Sequence, residues 1–250
     1  MSLGAHLVEL RKRLFRAALG VLVGAVGGWF LAIPVWDILR EPIAIIAGER
    51  SASINYASVA GAFDLRIQVA IVVGLVIASP IWLYQLFAFL VPGLTKREKR
   101  FTFGFFFSAV PLFFAGCATG VFVLPNIVNI MLSFVPSQDT SIVDAKIYLD
   151  FVLKLVIATG VAFVLPAFLV LLNFMGILSA KAIIKGWRWA ILAITLFTAI
   201  TTPGADVMSM FLLAIPMVGL YFLAYGIAVW HDRIAAKRAA KAEAALMADA

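Results

Sequence analysis

The chain has 250 residues, of which 64% are hydrophobic and only 13% charged, against about 25% charged in an ordinary soluble domain. Its mean hydropathy of +1.07 excludes a soluble core, which has no use for so much apolar surface, whereas each bilayer-spanning helix takes roughly 20 apolar residues. The net charge of +7 sits in short stretches beside apolar runs. It therefore speaks for membrane topogenesis and contact with anionic lipid, not for nucleic acid.

Leu14 to Trp36 is the first apolar run, entered through Arg11-Lys12-Arg13. It is longer than a signal-peptide h-region and no small-x-small site follows, so an uncleaved span is expected. Gln68 to Leu90, Phe101 to Leu124, Tyr148 to Phe174, Trp187 to Thr202 and Val207 to Trp230 are the next five, separated by charges, Pro and Gly. The sequence thus predicts an all-α, polytopic integral membrane protein of six spans. Residues 1–232 form one membrane domain and 233–250 a basic, Ala-rich tail. No inverted repeat of the kind found in many secondary transporters is visible. Pro80, Pro111, Pro166 and Pro216 fall inside spans, where each removes a helical hydrogen bond and bends the helix. The fifth span is short: Trp189 to Thr202 covers about 21 Å at 1.5 Å per residue, less than the roughly 30 Å hydrocarbon core.

Basic residues fix the expected orientation. Arg11, Lys12, Arg13 and Arg16 precede the first span, and Lys96, Arg97, Lys99 and Arg100 lie between the second and third. Lys181, Lys185 and Arg188 lie between the fourth and fifth, and Arg233, Lys237, Arg238 and Lys241 follow the sixth. With six spans these fifteen of the twenty Lys and Arg residues share one side, which places both termini in the cytoplasm. The opposite connections, roughly Asp37 to Arg66 and Val135 to Ile147, carry the acids Asp37, Glu41, Glu49, Asp64, Asp139 and Asp144. The remaining one, Thr201 to Asp206, is a Pro-Gly turn.

No catalytic constellation is present. His6 and His231 lie at opposite ends of the chain, outside the spans, and Cys117 lies alone in an apolar run. Neither an enzyme nor a cofactor is expected. A small-molecule permease, the alternative function, needs a polar midplane site. The spans offer only Asp150 and Lys154, spaced i, i+4 near one end and read as a rim ion pair. Two acids in the basic rim are more informative. Glu9 has Lys12 and Arg13 at i+3 and i+4 and can pair with them. Glu98 has only Leu94, Thr95, Phe101 and Thr102 at those spacings. Its carboxylate is therefore suited to bidentate capture of an incoming guanidinium.

The run His6-Leu-x-Glu9-Leu-Arg11-x-Arg13-Leu14 and the stretch Ser79-Pro80 through Tyr84-Gln85, Phe89 and Pro92-Gly93-Leu94 to Glu98-Lys99-Arg100 resemble signatures of the TatC family. Further likenesses are Gly160-Val-x-Phe163-x-x-Pro166, Asn173-x-Met175-Gly176-Ile177, Thr202-Pro203-x-x-Asp206 and Leu213-Ala-Ile-Pro216. They run in order over about residues 6 to 217.

The resemblance implies the receptor subunit of a twin-arginine protein translocase in the cytoplasmic membrane of a prokaryote. Such a subunit binds the twin-arginine signal peptides of folded cargo. It self-associates in a receptor complex and assembles with TatA- and TatB-type single-span subunits for export driven by the proton-motive force. By the same resemblance Glu9 and Glu98 receive the signal arginines, and Arg11, Arg13, Gln85 and Phe89 belong to the recognition region. Pro42 and Asp206 match functional positions on the opposite face. Two positions depart from the family pattern. Val164, two residues before Pro166, and Met210, early in the sixth span, stand where the family has polar groups that contact partner spans.

Overall fold

The computed structural model describes residues 3–50, 53–56, 58–90, 96–133, 142–201 and 207–248, with 46–50 and 96–105 described by their backbone. Among the described residues eight helices follow one another: α1 (Leu3–Arg50), α2 (Gly61–Ile77), α3 (Ser79–Leu90), α4 (Lys96–Ser133), α5 (Ala145–Phe174), α6 (Ala180–Lys185), α7 (Trp187–Thr201) and α8 (Val207–Ala248). Four of them, α1, α4, α5 and α8, are long and apolar enough to cross a membrane. The pair α2 and α3 passes the same test when taken together, and α7 is a shorter apolar helix. These units coincide with the six apolar runs of the sequence.

Contacts between glycines set the packing. Gly24 and Gly28 of α1 face Gly74 and Ala70 of α2, so closely that a methyl group on Gly24 would lie 2.5 Å from the Gly74 carbonyl oxygen. Gly20 meets Ile81 of α3, so α1 runs antiparallel to α2 and α3. Gly116 and Gly120 of α4 face Thr159 and Val156 of α5 in the same way. Small residues at these crossings let backbones approach and gain van der Waals contact, the main source of helix association in lipid. Of the most apolar stretch of α5, 56% is buried, against 11% for α1. Helix α5 is therefore the central element, packed on α4, α8, α2 and α7. Phe30, Phe122 and Ile200, each at least 75% exposed, face where lipid would be.

The α2–α3 span breaks at Ala78 with a bend of 56°. The Ala78 N–H still donates to the Gly74 carbonyl at 2.8 Å. Pro80 then occupies the first turn of α3, where no helical N–H is needed. The Trp82 indole N–H donates to the Leu75 carbonyl at 2.9 Å, so a carbonyl at the broken end keeps a partner. The bend expected at Pro80 is present. Pro111, Pro166 and Pro216 lie inside helices that continue past them.

The structure corrects two expectations. The connection read as Asp37 to Arg66 is helical to Arg50 and again from Gly61. Asp37 pairs with Arg40 at 2.7 Å within α1, and Pro34 and Pro42 lie inside that helix. What remains between α1 and α2 includes β1 (Ser53–Asn55), which pairs in parallel with β2 (Ile142–Asp144) from the α4–α5 connection. Second, Asp150 does not pair with Lys154 among the described residues; it accepts a hydrogen bond from the Gln68 side chain of α2. That bond and the β1–β2 pair fasten the α1–α2 half to α5 at one end. The basic, Ala-rich stretch expected at 233–250 is helical as far as Ala248, since α8 runs unbroken from Val207 to Ala248.

Candidate functional site

The antiparallel register of α1 against α2 and α3 gathers the residues expected to serve recognition at the end of the bundle where α1 begins. Glu9, Arg11 and Arg13 stand on the first turns of α1, Gln85 and Phe89 on the last turns of α3, and Glu98 in the first turn of α4. The Glu98 side chain and the whole of Asp206 lie outside the described residues.

The Glu9 Oε1 atom accepts both the Arg13 Nε–H at 3.0 Å and the Nη2–H at 2.5 Å. The pair is about three-quarters sheltered, with side-chain exposures of 23% and 22%. The spacing had offered Lys12 or Arg13, and Arg13 takes the carboxylate. Glu9 Oε2 has no partner among the described residues. The Gln85 Oε1 atom is buried and accepts no hydrogen bond among the described residues, a position that costs about 1–3 kcal/mol unless a donor arrives. Two acceptors at this end thus lack a partner among the described residues. Phe89 is half-buried, and the rings of Tyr84 on α3 and Phe106 on α4 meet edge-on at 5.8 Å.

Arg11 and Arg13, grouped by the sequence, stand on different faces of α1. At 3.6 residues per turn, Glu9 and Arg13 fall on the side of Gly20 and Gly24, toward the bundle. Arg11 falls on the outward side and is exposed. Pro42 is buried in α1 beside Leu39 and Ile43, and the Leu39 carbonyl accepts the Tyr148 hydroxyl at 2.6 Å. Met210 is half-buried at the start of α8. Val164 is 8% exposed and belongs to the chain's own central core, so α5 presents it inward, while the neighbouring Val161 and Leu165 are exposed.

A polar network at the same end escaped the sequence. The Asn173 Nδ2 group donates to the Leu178 carbonyl and to Asp232 Oδ1, each at 2.9 Å. Both its hydrogens are then used, so Asn173 Oδ1 accepts at 3.1 Å from His231 Nδ1, which fixes the imidazole with its proton on Nδ1. Asp232 Oδ2 accepts the Ala180 N–H at 2.8 Å, capping α6 together with Ser179, which accepts from Ala182. The chain enters this network through Gly176 at φ +74°, a helix-ending conformation that favours glycine. The Asn173-x-Met-Gly motif was visible. Its partners 58 and 59 residues away carried no local signal.

The sequence matches the family described as Sec-independent protein translocase protein (TatC) over residues 5–216. This chain belongs to the TatC family. Among relatives, the TatC of Xylanimonas cellulosilytica is 45% identical over 98% of this chain and 89% of its own length. The chloroplastic TATC of Pisum sativum is 32% identical over 88% of this chain and 62% of its own length. The solved structure titled "Crystal Structure of Twin Arginine Translocase Receptor- TatC" is 31% identical and superposes with a TM-score of 0.74 over 90% of this chain and 98% of that one. A second, in DDM, gives 0.77 over 89% and 99%. Membership makes this TatC-family chain a multi-pass membrane component of a protein translocase, not an enzyme, and displaces the permease alternative.

Proposed function

We propose that this chain is the receptor subunit of a twin-arginine translocase, and that the end of the bundle bearing Glu9, Gln85 and Glu98 binds the paired arginines of signal peptides on folded cargo. Its likeness to a solved twin-arginine translocase receptor at 31% identity over nearly the whole of both chains carries the reading. The acceptors on Glu9 and Gln85 that lack a partner among the described residues give it chemistry, since a guanidinium supplies five N–H donors in a planar fork. TatA- and TatB-type single-span subunits, and further copies of this chain, assemble around it in the membrane, and export draws on the proton-motive force. Immobilised signal peptide with Arg-Arg is expected to retain the purified protein, and the same peptide with Lys-Lys is not. Equal retention by both would refute the reading.

The proposed orientation has six spans with both termini in the cytoplasm, supported by the distribution of Lys and Arg. In a variant lacking Cys117, a cysteine at Asn55 is expected to react with a membrane-impermeant maleimide applied to intact cells. One at Lys181 is expected to react only after permeabilisation. Labelling of the Lys181 position in intact cells overturns this topology.

A further inference from the structure

Arg11, Lys12, Phe15 and Arg16 line an open recess of about 480 Å³ on the outward face of α1. At 100° per residue these four lie within an arc of about 140°. The same arc contains Leu19, Leu22, Val23, Val26 and Phe30 one to four turns further along. Phe15 is 70% exposed, and the other five are 53% to 75% exposed. The face therefore begins with three cations around an aromatic ring and continues as an apolar stripe into the bilayer. No hydrogen bond or ion pair engages Arg11, Lys12 or Arg16 among the described residues. The one acid nearby, Glu9, lies at the edge of this arc, about 20° from Arg16 around α1, and is held by Arg13.

We propose that this face is a binding site for an anionic phospholipid, with the phosphate-bearing headgroup held by Arg11, Lys12 and Arg16 and an acyl chain laid along Phe15 and the apolar stripe. Charge complementarity decides the occupant. Three cations at the membrane surface, without an ion-pair partner among the described residues, attract an anionic headgroup by about 1 kcal/mol each, whereas a purely apolar partner helix would bring them no counter-charge. A zwitterionic lipid fits the stripe equally well but brings no net charge to the recess. The site adjoins the proposed signal-binding face at Arg11 and Glu9, and Lys12 and Arg16 are the cations that belong to it alone.

The test uses full-length protein reconstituted in phosphatidylcholine vesicles carrying trace spin-labelled phosphatidylglycerol or phosphatidylcholine. The motionally restricted fraction in the electron paramagnetic resonance spectrum gives the relative association of each lipid. Wild type is expected to prefer the phosphatidylglycerol probe several-fold, and 0.5 M salt is expected to weaken that preference. Lys12→Gln/Arg16→Gln should remove most of that preference and bring the two probes close to equal association, while Lys12→Arg/Arg16→Lys should keep it. Lys181→Gln/Lys185→Gln removes the same net charge from another exposed stretch and should leave it nearly unchanged. Retention of Arg-Arg peptide by all three variants would show that they are folded and that the two faces act separately. Undiminished preference in Lys12→Gln/Arg16→Gln, or an equal loss in Lys181→Gln/Lys185→Gln, overturns the proposal.

Discussion

Replacing Glu98 with glutamine is expected to cost most of the affinity for an Arg-Arg signal peptide while leaving the protein folded. Glu98 stands in the first turn of α4, where a carboxylate is also favoured by the helix dipole. Its sequence neighbours at helical spacing include no cation, so the charge is not committed within its own helix. A hydrogen bond to a charged group contributes about 1.5–3 kcal/mol, which puts the loss at roughly 10- to 150-fold in Kd. The amide keeps the size of the side chain but cannot accept both arms of the guanidinium. Glu9→Gln is expected to have a smaller effect, because the carboxylate already serves Arg13 and only its second oxygen is open to a ligand. Fluorescence anisotropy of a labelled signal peptide titrated with purified protein reads both variants. Wild-type affinity in Glu98→Gln would remove this residue from the site.

Gly74→Leu is expected to yield almost no folded protein. A Cβ at this position would lie 2.5 Å from the Ala25 Cα and 2.7 Å from the Gly24 carbonyl carbon, both backbone atoms of α1. Neither can swing away as a side-chain tip can. The two helices must separate, and the loss extends along the whole Gly24–Gly28 crossing. The cost therefore exceeds the about 1–3 kcal/mol of an ordinary overpacked core. Gly27→Leu provides the control, since nothing lies within 4 Å of a Cβ there. The yield of monodisperse protein after detergent extraction should collapse for Gly74→Leu and stay near wild type for Gly27→Leu. Equal yields would mean that this crossing does not hold the fold together.

The apolar runs made most of the architecture legible. The fourth run, Tyr148 to Phe174, reappears as Ala145–Phe174, and the fifth, Trp187 to Thr202, as Trp187–Thr201. What misled was polarity inside a helix. Asp37, Arg40, Glu41 and Pro42 read as a loop, yet the first two neutralise each other one turn apart and Pro42 packs into the helix that contains it. The β1–β2 pair was invisible because three residues are too few to show an alternating pattern. At the candidate site, the Glu9–Arg13 pair was readable from i, i+4 spacing. The separation of Arg11 from Arg13 follows from the same geometry, once Gly20 and Gly24 show which side of α1 faces inward. The buried Gln85 acceptor and the inward-facing Val164 depend on neighbours far along the chain, and no local pattern announces them.

The continuity of α8 has a practical consequence for anyone who wishes to watch this protein at work. Asp232 anchors the helix to Asn173 and Ala180, and sixteen more residues follow to Ala248 in the same helix, a rod about 24 Å long. A dye near its tip would be mounted on a stiff arm whose base is bolted to α5 and α6. Small rotations at the base would become displacements of several ångströms at the dye, so distance measurements by energy transfer from that position should register the attitude of α8 and not the wandering of a tether.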